Sequence, residues 1–141
     1  LAAFALFGAA TGADKTVAGT EPSGEPVRLS LLQGNVAQSI KWRPEQVTVT
    51  LDLYEKMIRA TTARLIILPE TALPLFLQDV PASFLRSIEE HAKAHGADVL
   101  IGLPERGGGS YYNSVVSLGV SPSQAYRESH LVAFESRPPV R

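Results

Sequence analysis

The stretch "LIILPETALPLF", residues 65–76, decides how the rest of the chain is read. Its first part is a short continuous apolar run, the pattern of a strand covered on both faces. The run stops at Pro69-Glu70-Thr71. A carboxylate directly after a buried strand is costly unless something there uses it. Pro69 stiffens the exit and restricts where Glu70 points. Two readings stand side by side at this stage. Glu70 is a base held at the C-terminal end of a strand, where ligands of α/β sheets collect. Or it is an exposed loop residue that caps the next segment.

Outward from this run the period alternates. Upstream, "VRLSLLQGN" (27–35) is β-branched and apolar and breaks at Gly34-Asn35, which predicts a strand. "RPEQVTVTLDLYEKMIRATTA" (43–63) puts Pro44 at a helix start, with Val47, Leu51, Tyr54 and Ile58 at helical spacing. Downstream, "PASFLRSIEEHAKAHG" (81–96) places Phe84, Ile88 and Ala92 on one side, with Gly96 as the stop. "ADVLIGLPE" (97–105) predicts another buried strand, "RGGGS" (106–110) a turn and "YYNSVVSLG" (111–119) a strand; "QAYRESHLVAF" (124–134) predicts one more, with a break. Strand, helix, strand, helix, strand, strand implies a layered α/β domain.

Composition bounds the function. The 141 residues suit one domain, and 45% hydrophobic against 19% charged residues supports a core and excludes compositional disorder. A net charge of −1 without a basic block argues against nucleic acid as partner. No cysteine is present, which removes disulfides, cysteine metal sites and a thiol nucleophile from these residues. His91 and His95 are four apart on a predicted helix but lack a third ligand, so no metal site is expected. "GGG" at 107–109 has no Lys-Ser/Thr ending and no helix after it, so it reads as a hairpin turn, not a phosphate loop. The apolar stretch at residues 1–13 is shorter than the roughly 20 residues that span a bilayer. It is read as the end of a transmembrane helix; a signal-peptide remnant and a buried helix are the other readings. Residues 14–26 are rich in Gly, Pro, Thr and Ser and read as a linker.

"LLQGNVAQSIKWRPEQ" (31–46), "LIILPETALP" (65–74), "VLIGLPE" (99–105), "YYNSVVSLG" (111–119) and "YRESHLVAF" (126–134) follow one another in an order that resembles the carbon-nitrogen hydrolase (nitrilase) superfamily. Within it they are most similar to the apolipoprotein N-acyltransferase branch, to which the "QGN…QS.KW.PEQ" opening points. The resemblance covers residues 27–134 and leaves 135–141 as an irregular tail. It implies part of a nitrilase-like α-β-β-α sandwich preceded by the end of a transmembrane helix. It also implies a Glu-Lys-Cys triad that moves an acyl chain from a phospholipid donor to the N-terminal amine of a diacylglyceryl-cysteine lipoprotein through a thioester. The expected setting is the bacterial inner membrane, with the catalytic domain on the periplasmic side and no cofactor. A carboxylate base makes the thiolate, and a lysine ammonium stabilises the oxyanion. A soluble amidase-like hydrolase and a non-catalytic α/β domain are the alternatives.

By this resemblance Glu70 matches the triad carboxylate. Trp42 matches a tryptophan near the site, against a plain packing role at a helix entry. Asn113 matches an asparagine close to the site, against a tight strand pair. His130 reads as structural. The departures are as informative. Glu128 occupies the triad lysine position, Ala133 replaces a proline, and the Gly-Glu expected after Phe134 reads Glu135-Ser136. Glu128 inverts the charge offered to the oxyanion and brings a second carboxylate toward Glu70. With neither the lysine nor the cysteine, the chain is expected to be inactive alone. The full sandwich that the resemblance implies needs more strands than these residues supply, so sheet edges and apolar faces are expected to stay uncovered and the domain to be aggregation-prone or poorly cooperative.

Overall fold

The structure, a computed structural model, describes residues 24–128. The expectations for residues 1–13, most of the linker, His130 and the tail fall outside them. No described helix is long and apolar enough to cross a membrane.

Five strands form one sheet in chain order: β1 (Leu29–Leu31), β2 (Leu65–Ile67), β3 (Asp98–Gly107), β4 (Ser110–Gly119) and β5 (Gln124–Arg127). β1, β2 and β3 are parallel, linked through α2 (Pro44–Arg59) and α3 (Ala82–Ala94) as successive β-α-β units. β4 and β5 continue the sheet antiparallel. The register sorts the side chains. Ile66, Val99, Ile101, Leu103, Val116 and Leu118 lie on the buried face and share one core with Leu51, Tyr54 and Ile58 of α2 and Phe84, Ile88 and Ala92 of α3. The helical stripes are therefore the ones that the spacing indicates. On the opposite face Leu29, Leu31, Val115 and Tyr126 are exposed, with Leu31 at 71% and Tyr126 at 66%.

Local chemistry sets the ends of these elements. Pro44 opens α2, where its missing N–H costs nothing. α3 ends in a Schellman motif: Gly96 has φ +64°, its N–H donates to the Lys93 carbonyl at 3.2 Å, and the Ala97 N–H donates to the Ala92 carbonyl at 2.9 Å. β3 and β4 meet in a two-residue turn, Gly108-Gly109, both with positive φ, as a tight hairpin of the right twist requires. The strand therefore runs through Arg106 and Gly107, further into the glycines than the composition indicates. The opposite correction applies to β1, which is three residues long. Two short elements have no strong periodic signal and were not expected: α1 (Gln38–Lys41) and a single 3-10 turn (Leu77–Asp79).

Candidate active site

β2 ends at Ile67, and the ladder continues for one more bond, the Leu68 N–H donating to the Leu100 carbonyl at 2.9 Å. The chain then folds over the exposed face of the sheet at Gly102. A β-carbon at residue 102 would lie 2.5 Å from the Pro69 carbonyl oxygen and 2.9 Å from the Glu70 Cα. The Ala72 N–H closes the turn, donating to the Gly102 carbonyl at 2.8 Å and to that of Pro69 at 3.1 Å. Thr71 has φ +50°, in the left-handed region that a β-branched residue rarely enters. Beyond the turn, the Gln78 side chain pairs with the main chain of Arg106: Nε2 donates to its carbonyl at 3.1 Å and Oε1 accepts its N–H at 3.2 Å. The Arg106 guanidinium pairs with Asp79 at 2.9 Å and lies 3.9 Å over the Phe76 ring. Glu70 is thus held by a turn fastened to β3 at both ends.

Asn113 meets it from β4. Its register partner on β3 is Pro104, so it projects on the Gly102 side of the sheet. Asn113 Nδ2 donates to Glu70 Oε1 at 3.0 Å and makes a longer, 3.4 Å contact with Glu128 Oε2. Only the amide nitrogen of an asparagine can donate to two carboxylates, so the flip state of the side chain follows from its surroundings. Glu128 is placed by the backbone: its N–H donates to the Asn113 carbonyl at 2.8 Å, extending the β4–β5 ladder past Arg127. Of the four positions that the resemblance assigns to the site, Glu70, Asn113 and Glu128 meet at one amide group.

Glu70 is exposed. Trp42 closes α1 half-buried. Its neighbour Lys41 is linked electrostatically to Glu70. Burial pushes the Lys41 ammonium below the ordinary lysine value, and the Glu70 carboxylate partly offsets this. The segment that brings Lys41 here is anchored on α2: the Gly34 N–H donates to the Tyr54 hydroxyl at 3.3 Å, and a β-carbon at residue 34 would meet that ring at 3.1 Å. Lys41 lies within the quoted "KWRPEQ" motif; its basic side chain next to the tryptophan was the available signal.

Glu105 also escaped the sequence reading. It is a buried carboxylate on the core side of β3. Arg127 Nε donates to Glu105 Oε2 at 2.9 Å, a second guanidinium nitrogen pairs with the other oxygen, and Ser114 Oγ donates at 3.0 Å. The Arg127 bonds, followed by that from Ser114, hold the Glu105 carboxyl below its ordinary value of 4.5 against the opposing effect of burial. A depressed folded-state pKa stabilises fully above the unfolded value, and the gain is lost as pH falls through the folded value. Stability should therefore decline with acid below about pH 4.5. Glu105→Gln should flatten that decline when urea midpoints are compared from pH 7 to pH 3; an equal slope in both proteins would contradict the assignment.

The two histidines at the C-terminal end of α3 lie against each other. The His91 and His95 rings stack at 4.2 Å, His95 Nδ1 is 2.8 Å from the His91 carbonyl oxygen, and no group of three candidate ligands exists among the described residues.

Comparison with known proteins adds the family. The carbon-nitrogen hydrolase family model matches residues 28–141. An apolipoprotein N-acyltransferase of Methylococcus capsulatus is 48% identical over 98% of this chain and 29% of its own length. One of Nitrosomonas europaea is 43% identical over 86% of this chain and 25% of its own. The chain thus spans about a quarter of the length of these curated relatives. Among solved structures, a CN-hydrolase superfamily protein of Xanthomonas campestris aligns with TM-score 0.55 and 22% identity, over 75% of this chain and 42% of that one, a likeness of fold.

Proposed function

The chain belongs to the carbon-nitrogen hydrolase family, and from that premise we propose that it is a section of an apolipoprotein N-acyltransferase catalytic domain. The reaction is transfer of an acyl chain from a phospholipid to the N-terminal amine of a diacylglyceryl-cysteine lipoprotein, through a thioester. The observation that carries this reading is the convergence of Glu70, Asn113 and residue 128 on the exposed side of the sheet. Glu70 is the base that takes the thiol proton, and Asn113 holds its carboxylate in one orientation. Residue 128 occupies the oxyanion-stabilising position, and Trp42, beside Lys41, borders the substrate. The bacterial origin of the relatives supports an inner-membrane setting with this domain on the periplasmic side. A second reading, a non-catalytic α/β domain, is favoured by Glu128, because a carboxylate there repels a developing oxyanion instead of stabilising it.

A chimera separates the two. Residues 28–128 replace the matching section of the Methylococcus capsulatus relative, whose own remaining sequence is kept. The chimera with Glu128 should be inert with phospholipid and a diacylglyceryl peptide. Glu128→Lys should restore acylated peptide, and adding Glu70→Gln should reduce the restored rate by about 100-fold or more, the usual scale for a lost general base. A folded Glu128→Lys chimera without product would favour the non-catalytic reading.

A further inference from the structure

We infer that Glu105 and Arg127 form a positioning clamp, acting through the sheet from its buried side, that sets residue 128 against Asn113 and Glu70 on the other. The inference deepens the functional reading above, since it concerns the position that the reading gives to the oxyanion-stabilising group. Among the described residues β5 is a four-residue edge strand, and its residues are all exposed. Such a strand buries little and frays readily. Successive side chains alternate between faces, and the register puts Arg127 opposite Ser114. Arg127 therefore reaches the core side, where it meets Glu105 and lies 5.0 Å over the Tyr112 ring. Glu128 necessarily takes the other side, beside Asn113. One residue of slip would exchange the two: a guanidinium would replace the group beside Glu70, and Glu105 would face a second carboxylate. The bidentate pair with a buried carboxylate makes that slip unfavourable, because it would leave Glu105 charged and unpaired.

The clamp is a fixed geometric device with no part in proton transfer, so its test reads position instead of turnover. Arg127→Met keeps the apolar stem and removes the fork. In amide exchange by NMR, protection of the Glu128 N–H should fall about tenfold or more, while that of Ile66 and Val99 in β2 and β3 stays within about twofold. The Asn113 side-chain amide signal should shift with it. Arg127→Lys should recover only part of the protection, because an ammonium cannot make the bidentate pair. Should Arg127→Met fail to fold, the pair Glu105→Leu with Arg127→Met removes the orphaned charge and serves in its place. Unchanged protection of Glu128 in these variants, or a uniform loss across β2, β3 and β4, would overturn the clamp. None of these readouts depends on acyl transfer, so failure of the clamp and failure of the functional reading are told apart.

Discussion

Gly102→Ala should cost about 3 kcal/mol of folding stability and detach Glu70 from Asn113, as expected when a buried backbone contact is overpacked. The added methyl would stand 2.5 Å from the Pro69 carbonyl oxygen and 2.9 Å from the Glu70 Cα. Both are backbone atoms, so no side chain can rotate away to relieve the contact. The turn would have to lift from β3, and lifting it breaks the bond from the Ala72 N–H to the Gly102 carbonyl and moves the Glu70 carboxylate off Asn113. The loss is large against the total of about 5–15 kcal/mol for a typical domain. Urea unfolding would give the stability change, and the Asn113 side-chain amide signal would report the displacement. A variant with parental stability and an unshifted Asn113 amide would show that the turn does not cross the strand this closely.

The chain by itself should give no acylated and no hydrolysed product above background, with or without Glu128→Lys. Covalent acyl transfer needs a nucleophile that can leave again, and the 141 residues contain no cysteine. Glu70 can orient or deprotonate a group, but general-base assistance alone is worth about 10²–10⁴-fold. That is short of the 10⁶-fold or more typical of enzymes. Glu128→Lys corrects the sign of the charge facing the oxyanion without supplying the nucleophile. It should still register in the site: an ammonium in place of a carboxylate favours ionised Glu70, so the Glu70 titration midpoint should fall relative to the parent in carboxyl NMR. The gain in stability should be small, about 1 kcal/mol or less, because Glu70 is exposed and solvent screens the pair. Enzyme-dependent product from the unaltered chain would refute the assignment of chemistry to a thiol. An unmoved Glu70 midpoint would place residue 128 away from it in solution.

Both outcomes bear on how far the residues could be read without coordinates. The apolar stripes of α2 and α3, the proline that starts one and the glycine that stops the other were legible, because each signal acts within a turn or two of helix. The strand lengths were not. β1 spans three of the nine residues that looked extended, because pairing with β2 determines where it is a strand, and β2 is itself cut short before Pro69. β3 runs into the glycines because β4 pairs with it as far as Gly107 and Ser110.

At the site the same division holds. The order of motifs brought out Glu70, Asn113 and the unusual Glu128, and the missing thiol was plain from composition. Those are properties of residue identity, which the sequence by itself determines. Only the tertiary structure decided between the two settings open to Glu70 in favour of the exposed one, and only it decided that one Asn113 amide serves two carboxylates, that Lys41 is linked electrostatically to Glu70, and that Arg127 reaches Glu105 while its neighbour turns to the opposite face. The physical reason is range. Propensity, capping and turn chemistry act over a few residues, whereas these partners come from separate elements and meet only when strand register and the crossing of the Pro69–Glu70 turn over Gly102 bring them together.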